Sequence, residues 1–120
     1  MSLTRLAVAD ASLLTRPGKT SAQIVSRQNA PDARITVTRV IMQPGAVSPV
    51  HRHAASEQTW IVERGAARLL TEDGAGGRLV VGDVVITPPG QSHGIENTGH
   101  EEFVYLTVTT PPEDMAVFYS

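Results

Sequence analysis

Residues 82–97 read GDVVITPPGQSHGIEN. Two short runs, Val84–Thr87 and residues 94–96, are split by Pro88-Pro89-Gly90-Gln91 and preceded by Gly82-Asp83. Proline presets the backbone for a turn, and glycine reaches conformations closed to other residues. The stretch therefore predicts a strand, a tight turn and a second strand, with His93 beside the second strand.

The same punctuation recurs on both sides. Ile35, Val37, Arg39 and Ile41 alternate with Thr36, Thr38, Val40 and Met42, the period of two expected of a strand. Further strands are expected at residues 59–62, 65–71, 78–81 and 103–109, with turns at residues 43–45, 72–77 and 97–100. Upstream, residues 16–19 and 29–32 read as turns, and residues 22–26 as a short edge strand. Residues 114–119 could form a terminal helical turn after Pro111-Pro112. Many short strands cut by Gly and Pro predict an all-β sandwich or barrel. We expect one domain over residues 1–120: N-terminal strands to about residue 33, the barrel over about 34–110, and a short segment over 111–120.

Composition narrows the function. Net charge is −2, with no basic block, so no nucleic-acid partner is expected. No apolar run reaches the roughly 18 residues that a membrane helix needs, and no membrane partner is expected. Arg5 is not followed by an apolar stretch and cleavage site, so no secretory leader is expected. The chain has no cysteine, which removes thiolate metal sites and cysteine nucleophiles and suits a cytoplasmic location.

Four histidines remain. His51 and His53 stand two apart, so on a strand both imidazoles face one side. Such a pair is half of a metal site, since each imidazole nitrogen binds a divalent ion at about 2.0–2.1 Å. His100, in a polar turn, is expected to be a solvated surface residue.

The frame around these residues resembles the cupin superfamily. Gly45, His51, His53, the pair Glu57-Gln58 and Gly65 follow its first motif, G-x5-H-x-H-x(3 or 4)-E-x6-G. Gly82, Pro88, Gly90, His93 and Asn97 match its second, G-x5-P-x-G-x2-H-x3-N, at every position. The resemblance implies a double-stranded β-helix, or jelly-roll barrel. It also implies that His93 joins His51 and His53 at one metal, that Asn97 supports a turn, and that two copies form a homodimer. The segment at residues 22–26 and the chain termini are candidate dimer contacts.

The fourth ligand departs from the family pattern. Spacing to Gly65 selects Gln58, whereas residue type selects Glu57. With Gln58 inward, Trp60 and Val62 also face in. With Glu57 inward, so does the charged Glu63, which is costly unless paired. Alternation favours Gln58, and a β-bulge would restore Glu57. Three His and one Gln leave the full charge of the ion uncompensated. Nitrogen-rich ligation suits Zn, Fe, Mn, Ni or Cu rather than Ca or Mg. Arg39, Met42, Trp60 and Tyr105 are candidates for lining a substrate cavity. The resemblance implies an enzyme acting on a small organic molecule, of dioxygenase, isomerase or cyclase type. The alternative is a cupin that binds or senses a small molecule without turnover.

Overall fold

The computed structural model describes residues 2–74 and 76–119. Among these described residues ten strands follow in order: β1 Ser12–Arg16, β2 Lys19–Val25, β3 Thr36–Met42, β4 Val47–His51, β5 Glu57–Arg64, β6 Ala67–Leu70, β7 Arg78–Leu79, β8 Val84–Thr87, β9 His93–Glu96 and β10 Phe103–Thr110. They form two antiparallel sheets, one ordered β1-β2-β3-β10-β5-β8 and the other β4-β9-β6-β7. This is the jelly-roll barrel expected from the sequence. A 3-10 turn at Met115–Phe118 closes the described chain, its start capped by Asp114. Among the described residues no helix is long and apolar enough to cross a membrane.

The N-terminal reading needs correction. The expected short edge strand at residues 22–26 is part of the longer β2, which lies between β1 and β3 rather than at an edge. Its start was hidden because Lys19, Thr20 and Ser21 are polar while the strand is partly to fully buried there. The expected strand at residues 78–81 shrinks to β7.

Strand alternation divides the barrel interior along its length. At one end β3 and β10 send in Val40, Met42, Phe103 and Tyr105, which pack with Trp60, Val62, Ala67, Leu79 and Ile95. At the other end the same strands send in Thr36, Thr38, Thr107 and Thr109, joined by Ser21, Gln23, Gln58 and Thr87, all buried. The apolar end supplies the hydrophobic driving force, about 1.5–3 kcal/mol for each large side chain fully buried. The polar end must answer for its hydroxyls.

Two motif glycines have visible reasons. Gly65 has φ +77°, and a Cβ there would collide with the carbonyl oxygen of Glu102. Gly90, at φ +80°, ends the proline turn and donates its N–H to the His53 carbonyl at 2.8 Å, tying the second motif to the first. Asn97, 1% exposed, also has its expected turn role. Its Nδ2 donates to the Met42 and Glu101 carbonyls, and its Oδ1 accepts from the Gly99 N–H.

Candidate metal centre

His51 ends β4, His53 follows in the loop and His93 opens β9. His51 and His93 are register partners across the β4–β9 pair. Gly94 permits the close approach of these strands, since a Cβ there would lie 2.7 Å from the Ser48 carbonyl oxygen. The three imidazoles each offer a nitrogen within 4.8 Å of the others. Arg52 between them is exposed, and His100 lies exposed in its turn, as the sequence suggests for it.

Each ring is held from behind. His51 Nδ1 lies 2.8 Å from the Pro49 carbonyl, and His93 Nδ1 lies 2.9 Å from the Gln91 carbonyl. His53 Nδ1 lies 2.8 Å from Glu113 Oε2. A carbonyl can only accept, so in His51 and His93 the hydrogen sits on Nδ1 and the lone pair on Nε2. Burial, with His51 close by, brings His93 down to about 4. Burial is also the chief cause that lowers His51. The Nε2 atoms of His53 and His93 are buried without a hydrogen-bond partner. Unpartnered buried polar atoms are costly, and a cation at their meeting point removes that cost. The donor set therefore fits a divalent metal.

A carboxylate behind a ligating imidazole fixes ring and tautomer, and its loss typically lowers metal affinity by about 10–100-fold. Glu113→Gln should weaken metal binding by that order, read by competition with a chromophoric chelator. An affinity equal to wild type would make the Glu113 contact incidental.

Gln58 points inward with Trp60 and Val62, while Glu57, Ile61 and Glu63 are exposed on the outer face. Gln58 and Trp60 line the same cavity as His51 and His53. The Gln58 Nε2 donates to Thr109 Oγ1, and its Oε1 accepts from Trp60 Nε1 at 3.1 Å. A carbonyl oxygen has two lone pairs, so one remains for a ligand. The one irregularity between β5 and β10 falls at Val104/Tyr105, opposite the far end of β5. No bulge turns Glu57 inward.

The four pocket candidates divide. Trp60 and Tyr105 line the cavity. Met42 is wholly buried in the apolar core, away from the cavity wall. Arg39 is corrected: its face of β3 is the outer one, and its Nε donates to Glu63 Oε1 at 2.9 Å there. Val37 and Ile41, which share that face, mark the solvent side because Thr36, Thr38, Val40 and Met42 fill the barrel.

The cavity, of about 50 Å3, also meets residues that sequence reasoning passed over. Phe118 packs on His51 and His53, with ring centroids 5.4 and 4.9 Å away. Lys19 enters from β2, donates to Ser48 Oγ at 2.7 Å and sits 5.0 Å from the centre of the Tyr119 ring. Thr38 and Thr107 line the same space. The alternation of Thr36 with Thr38 and of Thr107 with Thr109 was the signal for a polar inner wall.

Burial, with Arg16 as the second cause, brings Lys19 from 10.5 down to about 8. The unfolded chain then binds more protons between those two values, so stability rises with pH across that window. Lys19→Met should therefore raise the Tm of metal-free protein below pH 8, and the gain should fade as pH approaches 10.5. Thermal melts across that range test this, and a loss of stability below pH 8 would count against a desolvated ammonium.

With the geometry in place, comparison with known proteins defines the class. The family model described as a cupin domain matches residues 38–109, and the chain belongs to the cupin family. It is 35% identical over 66 residues to gentisate 1,2 dioxygenase 1 of Aquipseudomonas alcaligenes, covering 55% of this chain but only 19% of that protein. It is 26% identical over 87 residues to an oxalate-binding protein of Thermotoga maritima, covering 72% of this chain and 71% of that one. Its fold matches the structure of KdgF from Halomonas sp. with a TM-score of 0.79 and 20% identity, over 94% of this chain and 97% of the other.

Proposed function

We propose that this chain is a metal-dependent enzyme acting on a small organic molecule held in its barrel cavity. The observation that carries this reading is the convergence of three imidazoles, each held at Nδ1, with the Nε2 atoms of His53 and His93 buried and unpartnered. His51, His53 and His93 would hold one Zn, Fe, Mn, Ni or Cu ion, with Gln58 as the fourth ligand. Such an ion, when bound, supplies Lewis-acid or redox chemistry. The chain's own residues do the positioning. Trp60 fixes the Gln58 amide, Glu113 orients His53, and Phe118 packs against two of the rings.

The test is turnover by the metal-loaded protein across a panel of small organic acids, followed by oxygen uptake and product NMR. Activity that vanishes in His53→Ala supports the enzyme. Binding without turnover in every assay favours a second reading, a binding or sensing cupin. One observation leans that way: among the described residues, no carboxylate that could move protons lines the cavity. The similarity to an oxalate-binding protein leans the same way.

The reading includes a homodimer working in the cytoplasm. Supporting the dimer, β1 leaves one sheet edge open, and Ile61, Val84 and Ile86 are exposed on the outer face of β5 and β8. Sedimentation velocity at micromolar concentration decides it, and a monomer there would remove the dimer from the proposal.

A further inference from the structure

The half-buried Lys19 side chain has no job in the metal centre. Its ammonium has three hydrogens to donate. One reaches Ser48 Oγ, and the Tyr119 ring lies alongside. Among the described residues no carboxylate pairs with it, and no Asp or Glu lines the cavity it enters. A cation withdrawn from water without a counter-charge is costly. A fold that keeps one is provisioned for an anion that arrives from outside.

A second, independent observation points to the same place. Thr38 and Thr107 are cross-strand partners of β3 and β10, and both face the cavity. They are 2% and 3% exposed, and neither hydroxyl has a hydrogen-bond partner. Two orphaned hydroxyls and an unpaired ammonium in one cavity form a donor set without an acceptor.

Charge and size then limit the guest. With a divalent ion on His51, His53 and His93, the neutral Gln58 amide removes none of its charge, and Lys19 adds to it. A neutral guest would leave that charge uncompensated. The cavity holds about 50 Å3. That is small beside the roughly 300–1,000 Å3 of ordinary ligand pockets, so the guest is small.

We propose that Lys19, with the hydroxyls of Thr38 and Thr107, forms a subsite that holds the carboxylate of a small organic acid, whose other end faces the three imidazoles. The subsite deepens the reading of the metal centre above and rests on it for the direction in which the acid lies. Its carboxylate preference does not depend on the metal.

The experiment uses pyruvate as probe and pyruvamide as its uncharged isostere. Calorimetry is run on wild type, Lys19→Met and Thr38→Val, as purified and after metal removal, with elemental analysis of each sample. A hydrogen bond to a charged partner is worth roughly tenfold to a hundredfold in affinity. Wild type should therefore prefer pyruvate by at least about tenfold, with or without metal. In the metal-free protein Lys19→Met should lose that preference, and Thr38→Val should weaken pyruvate severalfold while leaving pyruvamide alone. A thermal melt of each variant secures that the fold is intact. Equal binding of the two probes by metal-free wild type overturns the subsite, as does a preference that survives Lys19→Met without metal. Metal content separates the two ideas. A Lys19-dependent preference in a chain that never takes up metal sustains the subsite and removes the metal reading. Metal without any such preference does the reverse.

Discussion

His51→Ala protein, purified without chelator, should carry almost no transition metal where wild type carries about one ion per chain, as expected of a single site of this kind. The hydrogen-bond partners behind such ligands alone are worth about 10–100-fold in affinity, so loss of a ligating ring should cost more than about 100-fold. His51 is the strongest test because it closes the set of three and pairs across the sheet with His93. Elemental analysis of the same preparation resolves the fourth position. Gln58→Ala should lower metal content, and Glu57→Ala should leave it at the wild-type level, because Glu57 stands on the outer face of β5. Metal lost in Glu57→Ala but kept in Gln58→Ala would overturn the inward register of β5. Absence of metal in wild type after reconstitution would remove the centre itself.

The second large effect concerns stability. Phe103→Ala should cost about 3–5 kcal/mol, the usual range for truncating a fully buried aromatic ring. Phe103 is 0% exposed, opposes Met42 across the β10–β3 pair and stands 5.6 Å from the Tyr105 ring. With domain stabilities of about 5–15 kcal/mol, that loss is a large share of the total. Val84→Ala makes the contrast, because Val84 is 58% exposed on the outer face. It should shift stability by no more than about 0.5 kcal/mol. Urea denaturation of both variants checks the pair. Equal losses would mean that the core does not sit at this end of the barrel.

The frame of glycines, prolines and histidines was readable because each acts through local geometry. Gly65 and Gly90 need positive φ, and their spacing is fixed by the strands they separate. The inward face of β5 was readable for a related reason. Only one register keeps Glu63 out of the barrel, and the structure adopts it. The same alternation in β3 was ambiguous, since apolar Val37 and Ile41 flank Arg39 while threonines occupy part of the opposite face. The barrel chose the threonines, and Arg39 went to solvent. Lys19 and Glu113 were out of reach altogether. Their partners Ser48 and His53 lie 29 and 60 residues away in sequence, and only the folded barrel brings them together. β4 was not legible because a proline such as Pro49 argues against a strand and its burial does not alternate cleanly.

The lengthwise split of the interior has a consequence for descent. Threonine and valine have nearly the same shape, so on the proposed subsite exchanges along the hydroxyl wall would change what is recognised while the packed half carries the fold. Lineages can explore new guests at that wall without first having to survive a weakened scaffold. On the proposed subsite, the preferred acid can then drift one hydroxyl at a time while the imidazoles stay in place.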